Sequence, residues 1–282
     1  MRDFSEIKDL KPKKRSALRV KAGRTYYTLR RYLSWYGKRN FAKEKSQSPL
    51  VYCCFSHKTP LLRRLKDVDM KYQYNKIVNL KIAAPKVDGI IIKPGETFSY
   101  WRLIGRASYK KGYKDGIVLN SGGFSTAVGG GLCQLSNLIY WMTLHTPLTV
   151  VERFRHTFDV FPDSNRTQPF GSGATCVYPY RDLMIRNDTN SLFQLKVWVT
   201  EEELCGQWLS SEAPLYSYRV IEKNHTMKSQ WWGAYTRHNE IYREKYDSQG
   251  AFLGEEYITE NHALMMYEPF LESAAVNEMA SK

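Results

Sequence analysis

Long apolar runs are absent from this 282-residue chain, and none approaches the roughly 20 residues needed to cross a bilayer. The opening Met1-Arg-Asp-Phe-Ser-Glu has no apolar core after its basic residue, so a signal peptide is not expected. Metal-ligand spacing is also missing. There is no C-x-x-C, no H-E-x-x-H and no close histidine pair, so no metal site is expected. No G-x-x-x-x-G-K-[ST] phosphate loop occurs, and the one glycine run is not a dinucleotide fingerprint, which leaves ATP and NAD unsupported and no cofactor expected. Cysteines number only five, and Cys53-Cys54 are adjacent. An odd count with that spacing is a poor disulfide framework, so all five read as reduced thiols. The expectation is a cytoplasmic protein that can extend to the inner face of the membrane. Repeats and low-complexity stretches are absent too.

Acidic residues are few, 28 Asp and Glu against 42 Lys and Arg, for a net charge of +14. The imbalance is concentrated at the front. Residues 1–50 hold 15 basic and 4 acidic residues, +11 of the total. Within Arg24-Thr-Tyr-Tyr-Thr-Leu-Arg-Arg-Tyr-Leu-Ser-Trp-Tyr36, a helix would line up Tyr26, Leu29, Leu33 and Tyr36, with Arg30, Arg31 and Lys38 around them. Such a segment suits an anionic membrane surface, with rings at headgroup level. Nucleic acid ranks below it as a partner. A solvated helix packed through its aromatics is the plain alternative.

Beyond about residue 48 the composition becomes globular. The expected organisation is a basic, aromatic-rich segment at 1–48, an α+β domain at 49–210 and a C-terminal β-hairpin extension at 211–282. Pro49–Ser56 suggests a buried strand, and Lys76–Ala84 a helix ending before Pro85. Val87–Tyr100 suggests a strand and a Pro94-Gly95 turn. Residues 105–131 are polar and glycine-containing. Ala174–Tyr178, Leu183–Asn187 and the alternating Phe193–Val199 fit strands, the last two joined as a hairpin by Asn187–Asn190. A second hairpin is centred on Asp247-Ser-Gln-Gly250. Helices early and strands late indicate α+β, with a central helix after a glycine-rich turn packed on a mainly antiparallel sheet.

That turn is Gly129-Gly130-Gly131-Leu132-Cys133-Gln134-Leu135-Ser136. Leu135, Leu138, Ile139 and Met142 then fall on one helix face. Cys133 would lie in the first turn, where free N–H groups and the helix dipole favour a thiolate. The three glycines leave room for backbone or substrate to approach. A buried, inert cysteine is the competing reading. A cysteine nucleophile needs a base and a group to orient that base. His145, 12 residues on, is about 18 Å away along the same helix and cannot serve. His156, in Val150-Val-Glu-Arg-Phe-Arg-His-Thr-Phe-Asp-Val160, is expected on a returning strand, the chain order of papain-like enzymes. Asp159, Asp163, Asp182 and Asn187 are the candidate orienting groups. Gly129, Gly130, Gly131, Gln134, Ser136, Glu152 and Arg153 are the candidate substrate-binding residues, although Glu152 and Arg153 read more readily as a surface ion pair.

Several of these segments together carry a resemblance. Pro94-Gly-Glu-Thr-Phe-Ser99, Gly105, Gly112-Tyr113, Gly129–Ser136, Glu152-Arg-Phe-Arg-His156 and Asp182-Leu with Asn187 resemble the VanW family, over roughly residues 75–200. The resemblance implies an accessory role in glycopeptide (vancomycin) resistance or cell-envelope metabolism, and no particular reaction. Family members commonly carry Gly-x-Asp-Ala-Thr, whereas here Gly171-Ser-Gly-Ala-Thr175 puts Gly173 at the place of the acid. Asp182 or Asp163 would have to substitute, and Asp182 is taken as the third catalytic candidate. Two function classes remain. One is a thiol hydrolase or transpeptidase acting on a peptidoglycan precursor, with Cys133 attacking, His156 moving protons and N–H groups at the helix start holding the oxyanion. The other is a non-catalytic module in which the glycine loop and Arg153/Arg155 hold an anionic cell-wall precursor, or which binds a partner protein at the membrane.

Overall fold

A computed structural model describes residues 15–37, 39–62, 69–120, 123–160 and 168–267. The basic segment forms α1 (Ala17–Tyr36), started by the Ser16 side chain accepting from the Arg19 N–H. Then follow β1 (Tyr52–Pro60), α2 (Met70–Val87), β2 (Ile91–Ile92), β3 (Thr97–Ser99) and the short α3 (Tyr100–Ile104). β4 (Asp115–Asn120) and β5 (Gly123–Val128) precede α4 (Cys133–Thr143). The remainder is strands: β6 (Thr149–Glu152), β7 (Phe158–Asp159), β8 (Met184–Arg186), β9 (Phe193–Val199), β10 (Glu203–Ser210), β11 (Ser217–Ser229), β12 (Tyr235–Tyr246) and β13 (Phe252–Met265).

The strands form an antiparallel sheet β1-β10-β9-β2, a second antiparallel sheet β3-β8-β6, the hairpin β4-β5 and a C-terminal sheet β11-β12-β13-β7. Among the described strands only β7 and β13 pair in parallel with each other, which stitches the C-terminal sheet to the rest. The fold is α+β, with mainly antiparallel sheets. α4 packs on β1 and β10, and α2 on β9. All four apolar residues anticipated on the α4 face, Leu135, Leu138, Ile139 and Met142, are buried, each worth about 1.5–3 kcal/mol of apolar transfer. Gly206 on β10 lets the helix come close. A Cβ there would lie 2.7 Å from Met142 Cε.

Several boundaries differ from the sequence expectation. α2 runs through Pro85, because only one turn follows and Asp88 N–H still closes on the Ala84 carbonyl. The glycine-containing stretch before α4 holds the unanticipated β4–β5 hairpin. β8 and β9 lie in different sheets and do not form a hairpin. Asn187 causes the divergence: its Nδ2 donates to the Ile92 and Ser191 carbonyls while its Oδ1 accepts from Thr189, turning the chain out of the β3-β8-β6 sheet before β9 enters the other. Ala174–Tyr178 is not a strand, and only Val177 bridges, to Arg181. Gln194, a polar residue between the alternating apolar positions of β9, is itself buried: its Oε1 accepts from Leu50 N–H and its Nε2 donates to the Ser46 carbonyl. The hairpin around Asp247–Gly250 is present as β12–β13.

Candidate functional site around Cys133 and His156

The glycine loop is built into the fold. Gly129 and Gly131 have φ of +78° and +89°. Gly129 N–H donates to the Lys114 carbonyl and Gly131 N–H to that of Ile117. Asn79 on α2 locks both sides, with Nδ2 donating to the Lys114 and Gly130 carbonyls and Oδ1 accepting from Lys114 N–H. A Cβ on Gly130 would sit 2.1 Å from the Gly116 carbonyl. The room expected for a ligand is thus occupied by the Gly116 backbone, and at Gly129 by Ala107.

α4 begins at Cys133, as its position after the turn predicts. The thiol donates to the Cys176 carbonyl over 3.8 Å. Burial pushes its pKa up, opposed by that backbone contact, so the anticipated depression by the helix dipole does not prevail. Ser136 Oγ donates to the Ala174 carbonyl at 2.7 Å, and Asn137 Oδ1 accepts from Ala174 N–H at 2.8 Å. Gln134 Nε2 donates to Thr59 Oγ1 and the Pro60 carbonyl, tying the helix start to β1. All five cysteines are free.

The stretch at 152–156 is also engaged. Glu152, at the end of β6, pairs through both carboxylate oxygens with Arg31 of α1, Oε2 at 3.0 Å from Nη1. Arg31 is buried, and further donates to the Pro179 and Tyr180 carbonyls. Arg153 turns the other way and clamps the Gly171 and Gly173 carbonyls, with Asn261 of β13 beside it. Its guanidinium lies 4.8 Å from the Tyr140 ring centre. The Phe154 carbonyl accepts from Thr175 N–H, and Arg155 donates to the His262 carbonyl.

His156 lies between β6 and β7 and not on a strand. Burial, with Arg181 and Arg155 nearby, lowers its pKa to about 4. Among the described residues no hydrogen bond joins Cys133 and His156. What the fold does bring together is the helix start and the His156 segment, which flank residues 173–176 through Cys133, Ser136, Asn137 and Phe154.

The four orienting candidates are placed as follows. Asp182 is fully buried; its carboxylate accepts from Ser99 Oγ at 2.5 Å and from the Trp101 and Leu183 N–H groups at 2.9 Å. Burial raises its pKa to about 6, against the pull of those bonds and of Arg31. Asp159 pairs with Arg237 and accepts from Tyr267. Asn187 shapes its own turn, and Asp163 lies outside the described residues.

Sequence reasoning missed the turn at Val177–Arg181. On one side a cleft of about 280 Å³ opens against α1, lined by Arg24, Tyr32, Arg106, Tyr178 and Tyr180. Burial and a hydrogen bond to Tyr32 push the Tyr178 phenol up to about 12. On the other side Arg181 lies over the half-exposed Phe154 ring at 6.0 Å, beside His156. The Tyr178-Pro179-Tyr180 run was the available signal, since proline among aromatics marks a turn more readily than a strand.

Residues 75–209 match the family described as VanW like protein. The chain belongs to the VanW family. Over 180 residues it is 39% identical to the vancomycin B-type resistance protein VanW of Enterococcus faecalis (strain ATCC 700802 / V583), covering 64% of this chain and 66% of that protein. Over 112 residues it is 31% identical to the uncharacterized protein YoaR of Bacillus subtilis (strain 168), covering 40% of this chain and 35% of that one. The chain thus spans about two thirds of the first relative and about a third of the second. No solved structure matches it significantly. Against the VanW pattern, the glycine in place of an acid has a local reason. A Cβ on Gly173 would lie 2.7 Å from the Asn137 Oδ1 that holds Ala174.

Proposed function

We propose that this VanW-family protein is an accessory factor of glycopeptide resistance, and that it binds an anionic cell-envelope precursor without covalent chemistry at Cys133. The observation that carries this reading is the state of the thiol, which burial keeps protonated and which is spent on the Cys176 carbonyl. The resistance role comes from the name of the enterococcal relative. Burial, with Arg181 and Arg155 beside it, holds His156 neutral, and the two guanidinium groups bring positive potential to Phe154–His156. An anionic group such as the diphosphate of a nucleotide-linked muropeptide suits that rim, with Phe154 available to an apolar or sugar face. The covalent alternative has one observation in its favour: the Cys133 and His156 segments flank the same strip of chain, and a neutral imidazole can accept a proton.

Alkylation and binding separate the two. Cys133 is expected to react with iodoacetamide more slowly than free cysteine at neutral pH, and Cys133→Ala to keep full resistance-supporting activity. Arg181→Gln is expected to weaken calorimetric binding of a nucleotide-linked muropeptide at least ten-fold. Loss of activity in a folded Cys133→Ala protein would hand the function to the thiol hydrolase.

A further inference from the structure

α1 has two faces of different kinds. One is docked: Arg31 reaches Glu152, and the buried Trp35 donates its indole N–H to Ser99 Oγ. At about 100° per residue, Leu18, Ala22, Tyr26, Leu29, Leu33 and Tyr36 fall within an arc of about 80° on roughly the opposite side. All six are exposed, Leu18 by 79%, Leu33 by 75% and Tyr36 by 81%. The ion pair and the indole bond fix the rotation of the helix, so this stripe is held outward. A continuous apolar stripe that a folded chain holds in water marks a surface for something else.

Charge identifies the occupant. Arg19 and Arg30 border the stripe on one side and Lys21 on the other, and α1 contains no acidic residue. Nucleic acid would leave Leu18, Leu29 and Leu33 wet. A second copy would bring the same positive charge against itself. We infer that α1 is an interfacial helix that seats the protein on an anionic phospholipid surface, lying in the membrane plane with its stripe among the headgroups and its arginines and lysine on the lipid phosphates. Its 20 residues give about 30 Å of contact along the surface. This inference stands apart from the precursor-binding reading, because none of its residues lies at Phe154–His156 or Arg181.

The test is co-sedimentation of the full chain with vesicles of phosphatidylcholine alone or with about 30 mol% phosphatidylglycerol added to supply an anionic surface. Binding is expected to be at least ten-fold stronger on the anionic vesicles and to weaken with salt. The pairs Leu29→Ser/Leu33→Ser and Arg19→Gln/Arg30→Gln should each lower anionic-vesicle binding at least ten-fold with unchanged circular dichroism. Equal binding to both vesicles overturns the inference, as does wild-type binding by either folded pair. So does a lipid-free dimer in sedimentation velocity that Leu29→Ser/Leu33→Ser dissociates, since the stripe would then belong to a second copy.

Discussion

The glycine-rich start of α4 packs on residues 173–176, the Val177–Arg181 turn follows that strip directly in the chain, and the two use their residues in opposite ways. At the helix start the polar side chains bond to the chain itself: Gln134 to β1, Ser136 and Asn137 to Ala174, the Cys133 thiol to Cys176. At the turn, Arg181 stays exposed and Tyr178 and Tyr180 line an open cleft. The difference teaches that a pattern conspicuous in sequence can be conspicuous because packing demands it. Glycines 129–131 admit close approach, but what approaches is this chain's own backbone. Residues open to a ligand are the ones with the plainer sequence.

The largest expected effect tests the packed side of that contrast. Gly130→Ala should cost about 3 kcal/mol or more in urea denaturation, because the added Cβ meets backbone that no rotamer change can move. A loss under about 1 kcal/mol would mean that the loop opens freely, and would return it to the ligand-binding candidates. Next comes Arg31→Ala, expected to cost about 3 kcal/mol by stranding the Glu152 carboxylate, with Glu152→Gln in the same chain recovering part of it. Additive losses would show that the two groups are not coupled.

A pH comparison is smaller and concerns Asp182. Its folded pKa, about 6, lies above the roughly 3.9 of an unfolded aspartate. Between those values the folded state binds more protons than the unfolded one, so stability from this group falls as pH rises, by about 2–3 kcal/mol in all. His145, His156 and His238 act the other way. Each is lowered to about 4, so their contribution is present above about pH 6.5 and is lost as pH falls toward 4. The measurable quantity is therefore the difference between the wild type and Asp182→Asn: the stability of the wild type relative to the variant should decline from pH 4 to pH 6. A flat difference would contradict the buried-carboxylate account. The smallest effect sharpens the open side. Arg181→Gln should raise the His156 pKa above about 4 in an NMR titration, and an anionic ligand should do the same in the wild type. An unmoved His156 would remove the positive rim.

Periodicity explains what was legible. The α4 face, the Phe193–Val199 strand and the β12–β13 hairpin all follow from spacing of apolar residues and from turn chemistry. Chemistry that depends on partners far along the chain was not. Arg31 among other basic residues reads as a solvated charge, yet its partner is 121 positions away. Glu152 and Arg153 read as one surface pair, but adjacent side chains diverge, and they clamp α1 and the 171–173 loop separately. Ala174–Tyr178 has strand composition, but α4 side chains take both backbone groups of Ala174, and Thr175 and Val177 bond to Phe154 and Arg181 in place of a common partner strand. Asp182, taken as the third catalytic candidate, has its carboxylate on Ser99 and Trp101 at the start of α3, partners that lie 83 and 81 positions away and that no local motif announces.

The docking of α1 also bears on how the molecule can be dissected. A fragment trimmed to the family-matched residues 75–209 would keep Glu152 without Arg31 and Ser99 without the Trp35 indole, and would strip β1 from the edge of β10. The contacts that hold the family-matched stretch therefore reach beyond it on the N-terminal side, as far as α1.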